Sequence, residues 1–286
     1  MIQLIIDSGS DLTRKEADLA GIGFVPLSVR FDEELFLDGE TLSKDMFYHR
    51  LKSGKENPQT SAPSPAQFSE AFQQVADQGN EGICLSLAGG ISATYQSACL
   101  AAEDFGGRIR VIDTGSASLG IQILVHEAQR LVAKGLSQNE VVQAIEAVKL
   151  RVVVYGVLST LEYLRRGGRI SSLRSAVGGL LAIKPLLRMK QGSLEMIGKA
   201  RGQRNADQQF IQRIQSFAPI APEELLYAYA GEDPGRLETF YQDELGLDPK
   251  GLVLHQLGPT IGTHVGPGTL VVAGMMNEGM EEGREG

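Results

Sequence analysis

Two cysteines, Cys84 and Cys99, are all that the 286 residues contain, and neither belongs to a C-x-x-C pair or a Cys/His grouping. Without such a grouping there is no pattern for zinc or redox chemistry, and both read as core thiols in a reducing compartment. No apolar run approaches the 18 or more residues of a membrane span. The opening MIQLIIDSGSDL carries no charge ahead of its short apolar run and reads as a first strand rather than a secretion signal. A soluble cytoplasmic protein, without stable membrane insertion, is therefore expected. The sequence also has no G-x-S-x-G nucleophile elbow and no G-x-x-x-x-G-K-[ST] phosphate loop, and Asp7 with Asp11 lacks the D-x-D spacing of aspartyl-phosphate enzymes. Its hydroxyl residues are placed to bind rather than to attack, and neither a metal nor a cofactor is expected.

Excess positive charge is also missing. The formal net charge is −8, which argues against a nucleic-acid partner. Its distribution is uneven: residues 149–204 hold twelve basic side chains against Glu162 and Glu195, so that segment carries +10 and the remainder −18. A solvated face is one reading of this segment, and a docking surface for an acidic or phosphate-bearing partner is the other.

What is present is an alternation of strand and helix signals over the first half. Residues 83–87 form a short apolar run that breaks at Gly89-Gly90 and resumes at Ser92, where hydroxyls of Ser92, Thr94 and Tyr95 gather at a helix start. Unpaired N–H groups at the positive end of a helix dipole make such a place an anion site. Strands over 2–6 and 108–112 exit into similar polar turns, Asp7-Ser8-Gly9-Ser10 and Asp113-Thr114-Gly115-Ser116. Capping boxes begin helices at Thr13/Glu16, Ser64/Gln67 and Ser137/Glu140, and leave Thr60 and Ser61 just outside the second. The resulting βαβ pattern implies a parallel sheet with helices on both faces, whose ligands bind beyond the carboxyl ends of the strands, where Ser8, Ser92 and Thr114 would lie.

Beyond residue 151 the pattern changes. A β-branched run over 152–158, a hairpin over 184–197 turning at Gln191-Gly192, and strands near 225–230, 252–257 and 269–273 suggest a second α/β domain with a mixed sheet. The expected layout is an N-terminal domain over 1–150, a C-terminal domain over 151–276 and a flexible tail over 277–286. His264, between the glycine-proline breaks of G-P-T-I-G-T-H-V-G-P-G, is the most suggestive of four histidines.

Several stretches together resemble one family. They are Asp7-Ser8, T-S-A-P-S-P over 60–65 with Phe68, I-S-A-T-Y-Q-S-A over 91–98, L-E-Y-L-R-R-G-G-R-I-S over 161–171, I-K-P over 183–185 and I-G-T-H-V-G-P-G over 261–268. Their order over almost the whole chain is similar to that of the DegV family of bacterial fatty-acid-binding proteins. The resemblance implies a two-domain α/β protein, related in fold to the substrate domain of dihydroxyacetone kinase, that buries one long-chain fatty acid between its domains. It implies that the carboxylate is held by Thr60, Ser61, Ser92 and Thr94 with His264 nearby. It further implies a carrier rather than a catalyst, one that presents the acid to a separate ATP-dependent fatty acid kinase for acyl-phosphate formation in phospholipid synthesis. Arg165, Arg166, Arg169 and Arg201 would face that kinase or its nucleotide. Ala88-Gly89-Gly90 stand where the family usually has serines, and Ala93 replaces the glycine of S-G-T. The rival class is an enzyme acting on a small acidic or phosphorylated metabolite with His264 as general acid or base. A narrow polar pocket would favour the enzyme, and a long apolar tunnel the carrier.

Overall fold

The computed structural model describes residues 1–54, 57–170 and 183–276. The expected tail over 277–286, and with it Ser171 and Arg174, lies outside the described residues. In chain order the strands of the first half are β1 (Ile2–Asp7), β2 (Gly23–Val25), β3 (Ser28–Phe31), β4 (Glu34–Leu37), β5 (Gln59–Ser61), β6 (Glu81–Ser86) and β7 (Ile109–Asp113). Between and after them run helices α1 (Arg14–Leu19), α2 (Lys44–Lys52), α3 (Pro65–Asp77), α4 (Thr94–Ala102), α5 (Leu119–Ala133) and α6 (Gln138–Val148).

Strands β2-β1-β6-β7 form an all-parallel sheet in that order. Side chains alternate across a strand, so Leu4 and Ile6 of β1 join Ile83 and Leu85 of β6 on one face while Ile5 and Cys84 take the other. Helices α5 and α6 cover the first face through Ile121, Leu124, Val141 and Ile145. Helices α3 and α4 cover the second through Phe68, Phe72, Val75, Ala98 and Ala101. Burial on both faces is why these strands read as uninterrupted apolar runs. The three capping boxes are all formed, with Thr13, Ser64 and Ser137 each accepting from the backbone N–H three residues on.

One part of this half differs from the sequence reading. The apolar run over 24–29 is not one strand but is split at Pro26, which has no N–H to give to a ladder. The chain after it pairs with β4 and β5 instead, in a small antiparallel sheet ordered β4-β3-β5. Thr60 and Ser61 therefore sit on a strand, in register with Val29 and Ser28.

The second half supplies β8 (Val152–Val157), α7 (Glu162–Arg166), β9 (Ile183–Lys190), β10 (Ser193–Arg201), α8 (Gln203–Gln215), β11 (Leu226–Tyr229), α9 (Gly235–Thr239), β12 (Leu254–Gln256), α10 (Pro259–Val265) and β13 (Leu270–Met275). Its sheet is mixed and ordered β10-β9-β8-β13-β11-β12, antiparallel throughout except for the β11–β12 pair. Val153, Tyr155, Val157, Leu186 and Val272 point to one face, against Phe210 and Ile214 of α8 and against Phe217 and Phe240. Val154, Met189, Val271 and Ala273 point to the other, toward Ala88, Leu119, Phe47 and Tyr48 of the first half. The fold is thus α/β with a parallel sheet and a mixed sheet, and the inward face of the mixed sheet meets the carboxyl ends of the parallel strands.

Candidate functional site

A cavity lies where those two regions meet, with about 110 Å³ of room for the centre of a water-sized sphere. Its floor is the inward face of the mixed sheet, with Val154, Gly156, Leu158, Leu187, Met189 and Val271. Leu27, Leu87 and Ile91 close it from the first half, and Ile261 and Val265 of α10 close it from the side. The walls are aliphatic. Polar groups gather at Thr60, Ser92, His264 and Arg169, with Ser118, Thr260 and Thr269 elsewhere on the lining.

The strand-end turns that position this site are built alike. Asp7 accepts from Gly9 N–H at 2.9 Å, and Asp113 accepts from Gly115 N–H at 2.9 Å, two copies of the same Asx turn. Asp7 also takes Ser86 Oγ at 3.0 Å and Leu87 N–H at 2.8 Å, while Asp113 holds Gly89 N–H at 3.2 Å. Burial raises the Asp7 carboxyl to about 6 against these hydrogen bonds. The hydroxyls between them turn inward to the scaffold. Ser8 Oγ accepts from Leu27 N–H at 2.9 Å, and Thr114 Oγ1 donates to Ser86 O at 2.7 Å. Neither Ser8 nor Thr114 lines the cavity.

Helix α10 is held from a distance. Gly258 at its cap position has no side chain, and the start of the helix is satisfied by two buried carboxylates of the first half. Asp11 Oδ1 accepts from Gly258 N–H at 2.8 Å, and Asp38 Oδ2 accepts from Thr260 N–H at 2.9 Å. Ser118 Oγ donates to the second oxygen of Asp11. Burial pushes the carboxyl of Asp11 up to about 6 and that of Asp38 up to about 7. This clamp sets α10, and hence His264, against the loops of the parallel sheet.

His264 Nε2 lies 2.8 Å from Thr60 Oγ1. Burial first, and the Arg169 guanidinium second, push the imidazole down to about 4, so it is neutral near pH 7. Its Nδ1 is buried with no hydrogen-bond partner among the described residues. Gly167 packs so closely on the ring that a β-carbon there would lie 2.1 Å from Nδ1. Arg169 Nε donates to Ile91 O at 3.1 Å and its Nη1 to Gly167 O at 2.8 Å. Ser92 Oγ and Thr94 Oγ1 are 2.8 Å apart, and Thr94 N–H donates to Ser92 Oγ at 3.3 Å.

The geometry brings Thr60, Ser92 and His264 to one cavity and separates their sequence neighbours. Ser61 is exposed and absent from the lining, because adjacent residues on β5 face opposite ways. Thr94 is fully buried behind Ser92. The helix starts one step later than expected: Ala93 holds the cap position without a side-chain bond, and Ser92 precedes it. Arg169, grouped by sequence with the docking arginines, lines the cavity instead. Arg165 and Arg166 stay outside, paired with Glu162 at 2.7 Å each, and Arg201 is exposed at the end of β10. Ser118 and Thr260 are lining residues that the sequence does not advertise. The glycines at 89–90 have a steric reason as well. A β-carbon at Gly90 would stand 2.2 Å from the carbonyl oxygen of Gly192, at the tip of the β9–β10 hairpin, whose N–H bonds Gly115 O at 2.8 Å. A serine at 90 would push that tip away.

Among the described residues no helix is long and apolar enough to cross a membrane, and no group of three or more His, Cys, Asp or Glu is disposed to hold a metal. The model of the DegV family matches residues 1–276. The chain belongs to the DegV family. A DegV domain-containing protein of Deinococcus radiodurans is 34% identical over 275 residues, covering 95% of this chain and 97% of its own. Among solved structures, a fatty-acid-binding DegV family protein from Thermus thermophilus is 31% identical with a TM-score of 0.83, covering 96% of this chain and 99% of that one. A stearic-acid-binding protein from Eubacterium ventriosum is 25% identical with a TM-score of 0.81 over 96% and 97% of the two chains.

Proposed function

We propose that this DegV protein binds one long-chain fatty acid in the cavity between its two α/β units, residues 1–150 and 151–276. The observation that carries the reading is a largely aliphatic cavity whose lining includes Ser92, Arg169 and the Thr60 hydroxyl, the last 2.8 Å from the neutral imidazole of His264. A narrow polar pocket, as the small-metabolite enzyme requires, would not carry so much aliphatic wall. The fatty-acid-binding relatives with the same fold support the same reading.

The head-group chemistry follows from the hydrogen-bond inventory. A neutral imidazole donates from only one nitrogen. When His264 Nε2–H donates to Thr60 Oγ1, the Thr60 hydroxyl proton is free to be given to a carboxylate, and Ser92 Oγ offers a second donor. Arg169 balances the charge, a pairing stronger than a neutral hydrogen bond. The tail lies along the floor of the mixed sheet, where each buried methylene contributes about 0.8 kcal/mol. The carboxylate is then presented to a separate ATP-dependent kinase, with exposed Arg201, and with Arg165 and Arg166, as the docking side chains.

Extraction of the purified protein with organic solvent, followed by mass spectrometry, tests the reading. Stoichiometric long-chain fatty acid is expected, and Arg201→Glu is expected to keep that acid while blocking acyl-phosphate formation with kinase and ATP. A protein that arrives empty and takes up no added acid contradicts the carrier, and full turnover by the Arg201 variant removes Arg201 from docking.

A further inference from the structure

Ser118 stands in a strained turn. It closes the connection from β7 to α5 with a backbone φ of 57° and ψ of −133°, a conformation that residues with a side chain rarely adopt and that persists only where the surroundings impose it. Two bonds impose it here. Ser118 N–H donates to Gly9 O at 2.7 Å, and Ser118 Oγ donates to Asp11. Asp11 is itself left-handed, with φ 63°. Two of the four positive-φ residues other than glycine among the described residues are thus bonded to each other.

The local sequence is Ser116-Ala117-Ser118-Leu119-Gly120, which departs from G-x-S-x-G only at its first residue. In that motif a strained strand-to-helix turn holds out a nucleophilic serine, and the flanking positions must be small because strand and helix meet there. The same crowding exists here. A β-carbon on Gly120 would lie 2.0 Å from Ser116 Oγ and 2.8 Å from Val154 Cγ2. In such a turn the residue after the serine supplies an oxyanion donor. Leu119 N–H opens α5 and has no hydrogen-bond partner among the described residues. Ser118 also lies on the lining of the aliphatic cavity, with Ala117 and Val154.

We propose that Ser118 and Asp11 form a nucleophile–base dyad that hydrolyses long-chain acyl esters, of oxygen or of sulfur, whose tail occupies the cavity. Ser118 Oγ attacks the acyl carbonyl carbon as its proton passes to Asp11 Oδ2, and Leu119 N–H donates to the oxyanion. Collapse breaks the bond to the alkoxide or thiolate, which leaves with the proton from Asp11. Water then attacks the acyl-serine and gives a proton to Asp11, which returns it to Ser118 Oγ. Ester and water have become fatty acid and alcohol or thiol. Asp11 Oδ1 meanwhile stays bonded to Gly258 N–H at 2.8 Å, which holds the base in place. Burial, by raising its carboxyl to about 6, brings it nearer the pH at which a general base must work. Gly258 and His264 are roughly 9 Å apart along α10 by helix rise, so an acid with its head at His264 is beyond the dyad. The activity rests on the tail-binding part of the fatty-acid reading and adds a reaction to it.

The test offers the full chain, stripped of lipid, a hexadecyl fluorophosphonate and the hexadecanoic esters of 4-nitrophenol and of a small thiol. A phosphonyl adduct, formed with loss of fluoride, is expected on Ser118 by tandem mass spectrometry. Release of nitrophenol or thiol is expected to fall at least about 100-fold in Ser118→Ala. Melting checks that the variant folds, and if it does not, the adduct on the wild type decides alone. An unlabelled Ser118, or equal turnover by the folded variant, overturns the dyad. Retained hexadecanoic acid without adduct or turnover leaves the carrier and removes the hydrolase. Adduct and turnover without retained acid does the reverse.

Discussion

The two faces of the mixed sheet come from the same strands and have opposite fates. On one face Val153, Tyr155, Val157, Leu186 and Val272 are packed by Phe210, Phe217 and Phe240, with ring centroids of Phe210 and Phe240 5.4 Å apart and of Tyr155 and Phe217 5.5 Å apart. On the other, Val154, Gly156, Leu158, Leu187 and Val271 border open space. Hydrophobicity does not separate the faces, since both are largely apolar. Size does. Aromatic rings fill one side to native density, whereas the other, covered in part by Phe47, Tyr48 and Leu119 of the first half, carries aliphatic side chains and a glycine and leaves the cavity between.

The largest expected effect breaks the filled face. Phe210 is fully buried, and Phe210→Ala is expected to cost about 3–5 kcal/mol of stability through lost burial and the hole left behind. Fatty-acid chain preference is expected to stay as in the wild type, because Phe210 is not on the cavity. Urea unfolding together with acid profiling checks both halves. A change in the preferred acid would show that the two faces are not independent.

A smaller effect separates the faces by pH. The folded imidazole of His264 titrates near 4 instead of its ordinary 6.5, so between those values the unfolded chain binds more protons than the native one. Its contribution to stability is therefore present above about pH 6.5 and is lost as pH falls through about 4, up to about 3 kcal/mol. Asp7, Asp11 and Asp38, with raised carboxyls, pull the other way in an overlapping window. The quantity to measure is hence the difference between wild type and His264→Gln in denaturant unfolding from pH 7.5 to 4. The wild type is expected to lose stability relative to the variant on acidification, and parallel profiles would refute the buried neutral imidazole. Phe210→Ala is expected to keep the wild-type slope.

How much of this is legible in the sequence depends on whether the signal is local. The capping boxes at Thr13, Ser64 and Ser137 are complete within four residues, and the parallel strands announce themselves as apolar runs, so the α/β class is readable. The split at Pro26 and the small sheet β4-β3-β5 are not, because strands of three or four residues are too short to show a period. That same shortness hides the alternation that turns Thr60 inward and Ser61 to solvent. Arg169 looks like one more member of a basic run, and its place in the cavity depends on Gly167 packing against His264 from another element. Asp11 and Asp38 cap α10 from 247 and 222 residues away along the chain, a distance no local pattern spans. The run over 152–158 is β-branched on both faces, so only the lone glycine hints that one of them is hollow.

The central claim is that the hollow face buries a tail whose charged head is gripped by Thr60, Ser92, His264 and Arg169. Its most direct test is the melting temperature of lipid-stripped protein alone, with hexadecanoic acid and with hexadecanol, for the wild type and Ser92→Ala. A ligand that binds only the native state stabilises it with the logarithm of its concentration over Kd, about 2.7 kcal/mol at a hundredfold excess over Kd. The acid is expected to raise the wild-type melting temperature well above the alcohol. Ser92→Ala should lose about 1.5–3 kcal/mol of acid binding, the worth of a hydrogen bond to a charged group, with the alcohol shift unchanged. Equal shifts with acid and alcohol in both proteins, or none with either, would contradict the account.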